Sequence, residues 1–305
     1  MREGALPAWA ETPFCGSVRL RIASGTALFA RRHACIGSAQ DTEYIRLLRR
    51  QEFGVERTDN DNCTRPVWDD DQSDPDEQVW RYMSVDRLTW LLTQRRLYFA
   101  AATQFADNFE GATAVQEYKP PEDPRFPDVD PTERAFRELR RLTKINCWHR
   151  ADYESDAMWK LYAAQGKGMA ICSSRRRLQD ALRPFRLQPS YGAEWIWFGP
   201  VRYVDLTKVR LRTSMERRFF FKHQAFAWER EYRLAVSMRS AEFFAVEFPE
   251  LGVEVSVDLN TLISRIVLGP DLAKQDRGAA EDMVKRAGFG DRLEISSLLW
   301  HPRHI

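Results

Sequence analysis

The chain has 305 residues, with 46 lysines and arginines against 44 aspartates and glutamates, a formal net charge of +2, and 44% hydrophobic residues including ten tryptophans. That is ample apolar material for a core, in one large domain or two ordinary ones. No apolar run approaches the roughly 20 residues a bilayer span needs, and a charge this close to balance does not by itself point to nucleic acid.

The charge is unevenly spread. Residues 1–77 carry 10 basic against 14 acidic residues, leaving 36 against 30 for residues 78–305. The first segment shows no sustained period and ends in a run of aspartates with two prolines, the texture of a poorly structured acidic extension. Within it, a calcium loop starting at Asp59 fails, because Thr64 and Asp70 stand where such a loop needs Gly and Glu. The five cysteines (Cys15, Cys35, Cys63, Cys147, Cys172) form no C-x-x-C pair and read as reduced thiols. With no apolar h-region behind Glu3, the expectation is a cytoplasmic protein.

From Val79 the texture changes to a single α+β domain over 78–305. Val79 to Met83 reads as a strand, and Ser84 caps a helix carrying Leu88, Leu91 and Leu92 at helical spacing. Leu97 to Ala100 is a second strand. Asp130, Pro131 and Glu133 start a helix with Phe136, Leu139 and Leu142 as its buried stripe. Ser155 opens another through Met158, Trp159 and Tyr162, closed by Gly166. Gly168 to Ser173 is a strand, followed by the basic helix Ser174 to Leu182. Further strands fall at Val201–Val204, Tyr232–Val236, Phe244–Phe248, Val253–Val257 and Ile266–Leu268. A last helix, Leu272 to Ala287, stops at Gly288 before the strand Leu293–Ser296. Short strands mixed with irregularly placed helices predict mainly antiparallel strands flanked by helices rather than a regular parallel fold.

The densest chemistry lies at Trp228 to Arg233. A strand through it places Glu229, Glu231 and Arg233 on one face and Trp228, Tyr232 and Leu234 on the other. Two carboxylates and a guanidinium then meet at the entrance to an apolar strand, either as a salt-bridged edge or as a site.

Metal chemistry has little to build on, and no metal site is expected. The five histidines include no H-E-x-x-H pair, and Cys147 with His149 supplies two ligands where zinc needs more; the same two residues also fit a thiol–imidazole dyad or plain core. There is no Walker loop, and Gly166-Lys167-Gly168 reads as a helix stop. Arg175, Arg176 and Arg177, with Lys208, Arg210 and Arg212 ahead of three phenylalanines, fit either a solvated face or a single-strand nucleic-acid contact.

Several of these residues together resemble a family. Tyr82; Leu97-Tyr98-Phe99; Asp107-Asn108-Phe109-Glu110; Met158-Trp159 and Tyr162; Gly168; Val201 and Tyr203; Lys222; Trp228, Glu229, Glu231, Tyr232 and Arg233; and Ile266 to Gly269 occur in order. Over about residues 79–270 this resembles the bacterial domain-of-unknown-function family numbered twenty-nine seventy-one, whose name supplies no activity.

A second resemblance is to the ADP-ribosyltransferase superfamily. It rests on Arg81-Tyr82, then Leu88 to Leu92, then Leu97-Tyr98-Phe99, and finally Glu229-x-Glu231. The chain departs from it at Ala100-Ala101-Ala102-Thr103, where a serine-threonine-serine motif is absent, and at Tyr82, where some members have His. The superfamily implies a two-sheet cleft with NAD as substrate. It implies Glu231 and Glu229 as catalytic carboxylates, and a dinucleotide cradle drawn from Arg81, Tyr82, Tyr98, Trp159, Lys222 and Arg233. Glu231 would stabilise the oxocarbenium and Glu229 would orient or deprotonate an acceptor. Arg81 would hold a phosphate, and Tyr98 or Trp159 would stack on nicotinamide.

The expectation is therefore an NAD-dependent ADP-ribosyltransferase or NAD glycohydrolase, with a toxin or phage-defence role by analogy and a protein or nucleic-acid acceptor. Two alternatives stand beside it. One is a non-enzymatic nucleic-acid or interaction module; the other is a magnesium nuclease built on Asp107, Glu110, Glu229 and Glu231.

Overall fold

A computed structural model describes residues 64–115, 131–189 and 191–303. In chain order its main elements are β1 (Thr64–Pro66), β2 (Gln78–Met83), α1 (Val85–Gln94), β3 (Arg96–Ala101), α2 (Pro131–Leu142), β4 (Thr143–Arg150), α3 (Asp156–Tyr162), β5 (Met169–Ser174) and α4 (Arg175–Ala181). Then follow β6 (Ile196–Pro200), β7 (Arg202–Val204), β8 (Phe221–His223), β9 (Glu231–Ser237), α5 (Arg239–Phe243), β10 (Gly252–Ser256), α6 (Leu259–Leu262), β11 (Arg265–Leu268), α7 (Lys274–Arg286) and β12 (Leu293–Ile295). The class is α+β with mainly antiparallel pairing; β1–β6, β11–β12 and the separate β7–β8 pair are parallel.

Local chemistry sets the helix starts. Ser84, Ser155 and Ser174 each accept a backbone N–H three residues on, capping α1, α3 and α4. At the far end of α3, Ala164, Gln165 and Gly166 all adopt positive φ and fold the chain back sharply. A Cβ on Gly168 would run into the carbonyl of Met83, so only glycine lets β5 enter there.

The hub is β4. Along one side it pairs with β9 from Thr143↔Ser237 to His149↔Glu231. Its other side is shared, with Ile145 and Lys144 facing β3 and His149 and Arg150 facing β2. The sheet therefore forks, one wing running β2–β5–β11–β12 and the other β3–β10. In the fork side chains take over from the ladder. Asn146 Nδ2 donates to Tyr98 O at 2.8 Å, and Arg81 Nη1 donates to Cys147 O at 3.3 Å. In place of two comparable sheets there is a forked ten-stranded sheet with the small β7–β8 pair, which carries the cleft residue Lys222.

Apolar layers pack on both faces. Val79, Ile171, Tyr232, Leu234 and Ile266 belong to the main core under α1, α4 and α7. Trp80, Tyr82, Ala170 and Cys172 meet Met158 and Trp159 of α3 on the other side.

The expected boundary at residue 78 does not hold for residues 64–77. Here β1 pairs in parallel with β6, and Val67 and Trp68 are buried with Ile145 and Phe219. Aspartates of the acidic run are spent on arginines: Asp69 on Arg217, Asp70 on Arg202, Asp71 on Arg175 and Asp76 on Arg176. Its charge is neutralised by partners far away in sequence, which composition does not reveal. The remainder of the expected extension, with Asp59, Cys15, Cys35 and Cys63, lies outside the described residues.

Phe244–Phe248 forms no strand. Ala245 has φ 51°, and Phe244 and Val246 turn onto Tyr191 and Ala241 in a small satellite cluster.

Candidate active site

Glu231 opens β9, and the face it shares with Arg233 points into the fork. Glu229 reaches the same place by another route. It ends a 3₁₀ turn (Gln224–Glu229), and Arg230 then adopts a left-handed conformation with φ 43°. That residue breaks the alternation expected across Glu229 and Glu231. Arg150 N donates to the Arg230 carbonyl at 2.9 Å and fixes the kink. A non-glycine residue held there costs on the order of 1–3 kcal/mol, a strain tolerated where it places a functional group. Trp228 consequently stands half-exposed on the cleft wall rather than behind it.

The charges alternate in a buried row. Arg233 is fully buried, and all five of its N–H groups are used. Nη1 and Nη2 grip both oxygens of Glu110 at 2.6 and 2.9 Å; Nη1 also reaches Phe219 O at 2.6 Å. Nε and Nη2 hold Glu231 at 2.6 and 3.2 Å. Lys222 on β8 bridges the two glutamates, donating to Glu231 Oε1 at 2.8 Å and to Glu229. Tyr162 closes the row with its hydroxyl 3.1 Å from Glu229 Oε1.

The titration behaviour follows. Burial pushes Glu231 upward, but the adjoining Arg233 and Lys222 outweigh it and hold its carboxyl well below the usual range. Burial, reinforced by the neighbouring Glu231, raises Glu229 to about 7. With every group ionised, three carboxylates meet two cations, and protonating Glu229 removes the excess charge. The coupled Glu229–Glu231 pair can therefore hold or release one proton near neutrality, with Glu229 the member whose carboxyl is raised.

Tyr162, Lys222, Glu229 and Glu231 line a cleft of about 930 Å³, while Arg233 and Glu110 are fully buried and do not reach it. On its other walls are Arg81 in the fork, Arg87 and Trp90 of α1, and Tyr98 of β3. Among the described residues, neither Arg81 nor Arg87 has a carboxylate partner. Burial and the nearby Arg87 lower Arg81 to about 10, although Cys147 acts in the opposite direction, and Arg81 remains charged at neutral pH.

Of the residues expected here, Glu229, Glu231, Arg81, Tyr82, Tyr98 and Lys222 all line the cleft. Two do not. Trp159 is fully buried in the layer under α3, with its indole N–H on Glu154 and its ring edge-on to Tyr82, so it is core rather than a stacking surface. Arg233 has no free donor for a phosphate and serves to hold the carboxylates. Tyr82 is also mostly core, its hydroxyl accepting from Ser155 N at 3.0 Å.

The alternatives fare less well. Both Glu110 oxygens are spent on Arg233, Asp107 Oδ1 accepts from Phe109 N at 2.8 Å, and no cluster among the described residues is arranged to hold a metal. Cys147 does lie beside Glu231, but burial raises its thiol well above the ordinary range. A thiolate dyad with His149 is therefore disfavoured. For nucleic-acid contact, Arg175 is buried against Asp71 and Tyr232, while Arg177 donates to the carbonyls of Asn260 and Ile263. Arg176, Lys208, Arg210 and Arg212 are exposed, in part on the acidic partners Asp76 and Asp205.

Sequence reasoning missed Arg87, Phe226 and the roles of His149 and Tyr203. Tyr203 accepts the Glu231 backbone N–H at 2.8 Å, and Phe226 lies 4.6 Å below the Lys222 ammonium. Arg87 carried one signal, since it sits off the Leu88–Leu91–Leu92 stripe one turn after Arg81's strand. The others depend on a turn the pattern does not encode.

No helix among the described residues is long and apolar enough to cross a membrane. No family model and no curated protein matches the chain, so the expected membership of family twenty-nine seventy-one has no match behind it. Among solved structures, DarT of Thermus sp. 2.9, in complex with ADP-ribosylated ssDNA, is similar over 74% of this chain and 96% of that one. Identity is 12% and the TM-score 0.33, a likeness too slight to carry an assignment, and function has to be read from the site's own residues.

Proposed function

We propose that this chain breaks the nicotinamide–ribose bond of NAD and passes the ADP-ribosyl group to an acceptor or to water. The observation that carries the reading is the polarity of the cleft. Two guanidiniums without carboxylate partners among the described residues, Arg81 and Arg87, stand on the walls built by β2 and α1, and a carboxylate pair stands on the wall built by β9 and the 3₁₀ turn before it. NAD has the matching polarity: a diphosphate dianion at its centre and a ribose carbon that becomes cationic as nicotinamide leaves. Guanidinium forks suit phosphate oxygens, and a fixed carboxylate stabilises charge that appears mainly in the transition state.

In the reaction, the C1′–N bond breaks and its electron pair leaves with nicotinamide. Glu231, kept anionic by Arg233 and Lys222, faces the oxocarbenium. An acceptor hydroxyl or amine, or water, forms the new bond at C1′ and gives its proton to Glu229, whose raised pKa suits a base near neutrality. Tyr162, Phe226 and Trp228 line that end, and Tyr162 and Trp228 are the aromatic candidates to pack on nicotinamide or the acceptor, Phe226 lying against Lys222. Tyr98 and Trp90 do the same on the α1–β3 wall. The nucleic acid named with DarT is one acceptor class to test.

The test is nicotinamide release from NAD by purified protein, with and without cell extract. Glu229→Gln is expected to cut release on the order of 100-fold or more while the protein still melts cooperatively. Glu231→Gln is expected to cut it as well, but also to destabilise the protein by about 3–5 kcal/mol, because it strips a buried partner from Arg233. Wild-type protein that releases no nicotinamide under any acceptor, yet binds RNA or DNA with steep salt dependence, would overturn the assignment in favour of a binding module.

A further inference from the structure

We propose that His149 is a substrate-binding residue of this cleft, its Nε2 accepting a hydrogen bond from a ribose hydroxyl of the dinucleotide. The inference rests on the NAD reading above for the identity of the sugar, and on separate geometry for the role of the imidazole.

His149 lies on β4, directly opposite Glu231 in the β4–β9 register and beside Trp80 of β2. Cross-strand partners of this kind project from the same face with their Cβ atoms roughly 5 Å apart. The ring therefore stands next to the carboxylate row and is braced edge-on against Tyr82, with centroids 6.3 Å apart. Its Nδ1 is 2.7 Å from the carbonyl of Glu229. A carbonyl oxygen only accepts, so the proton is on Nδ1. Burial, assisted by the nearby Arg230, lowers the imidazole's pKa below its ordinary value, although the bond to Glu229 opposes this. A neutral ring with its proton on Nδ1 carries a lone pair on Nε2. That nitrogen has no hydrogen-bond partner among the described residues, and the residue lines the cleft.

The chemistry of the ligand follows from what the atom can do. A fixed acceptor beside Glu229 and Glu231, both acceptors when ionised, demands donors; near its scissile bond a dinucleotide offers ribose hydroxyls and the nicotinamide carboxamide, and the hydroxyls, which ADP-ribose keeps without the carboxamide, are the match assigned to Nε2. The same bond to the Glu229 carbonyl ties the kinked turn to β4, so His149 joins the sugar's position to that of the base.

Two substitutions separate the halves of the ring. His149→Asn keeps a donor near the Nδ1 position and loses the Nε2 acceptor; His149→Gln keeps an acceptor near Nε2 and loses the tie to Glu229. Dissociation constants are measured for NAD, for ADP-ribose and for NAD analogues lacking single ribose hydroxyls. Histidine ¹⁵N spectra of the wild-type protein are recorded with and without these probes. The expected results are an Nδ1–H tautomer and an Nε2 resonance that moves when NAD or ADP-ribose binds. The His149→Asn variant should bind NAD about tenfold more weakly, in the range of one lost hydrogen bond, with no further loss for the analogue that lacks the matching hydroxyl.

An Nε2–H tautomer overturns the proposal, as does an Nε2 resonance that no ribose-bearing probe moves. The spectra do not depend on either variant folding. Nicotinamide release with an unmoved His149 sinks this inference and spares the transferase reading. A His149 signal moved by ADP-ribose without any nicotinamide release does the reverse.

Discussion

Glu229 is the residue on which acid–base behaviour should turn. Its carboxyl is raised to about 7 in the folded chain, against an ordinary value of 4.5. Between those values the folded state holds a proton that the unfolded state has released. Stability from this group is therefore complete below about pH 4.5 and is lost as pH rises toward 7. Other carboxylates obscure the trend in the wild type alone, but the difference between wild type and Glu229→Gln isolates it. The melting temperature of the wild type is expected to fall relative to the variant as pH rises through this window. A difference that stays flat would mean that Glu229 is an ordinary carboxylate. Nicotinamide release should rise over the same window, because the base must be deprotonated to accept a proton. Since Glu229 and Glu231 share Lys222, the apparent pKa belongs to the pair.

At the scale of elements, the segment before β2 is the part of the chain whose structure most contradicts its composition. Trp68 is 5% exposed, Val67 is fully buried, and the Trp68 indole donates to Pro200 O at 2.8 Å. Trp68→Ala is expected to cost about 3–5 kcal/mol, as buried aromatic truncations do. A chain begun at Gln78 should melt well below one begun at Thr64, or without a cooperative transition; equal melts would return residues 64–77 to the status of an appendage. Where elements have a period and a cap, the sequence shows them. Ser84 with Leu88, Leu91 and Leu92 marks α1, and Ser155 with Met158 and Trp159 marks α3. The hub β4 has no such period. It reads T-K-I-N-C-W-H-R, follows α2 without a turn, and buries Lys144, Asn146 and His149. Each polar group is made tolerable by a partner far off in the chain: Glu250 O for Lys144, Tyr98 O for Asn146 and Glu229 O for His149. The same dependence on distant partners hid half the site. E-x-E-x-R was visible as a cluster, but Glu110 as Arg233's partner lies 123 residues away along the chain.

For the whole molecule, the fork in the sheet is what makes an electrostatically divided cleft possible. A continuous ladder would have put a strand against residues 146–148 of β4 on the side away from β9. The fork instead puts the Arg81 guanidinium there and leaves room beside it for Arg87 from α1. Placing two guanidiniums together is unfavourable; burial is the main cause of Arg81's lowered pKa, and Arg87 adds to it. A dianion relieves that repulsion, so binding of a diphosphate should be stronger than either arginine alone would provide. Arg87→Gln tests this cleanly. Its side chain has no partner among the described residues, and its position on the exposed side of α1 should leave the melting temperature within about a degree or two. Affinity for NAD and for ADP-ribose should fall about tenfold or more, the scale of a charge-assisted hydrogen bond. Both affinities should also weaken as salt rises from well below about 0.1 M, where the screening length is longer than about 10 Å, and the variant should show a shallower dependence. Nicotinamide riboside, which lacks the diphosphate, supplies the contrast: its weaker binding should be indifferent to Arg87. Equal losses for the riboside and for NAD would show that Arg87 acts through the shape of α1 rather than through a phosphate, and would remove one of the two cations on which the proposed polarity depends.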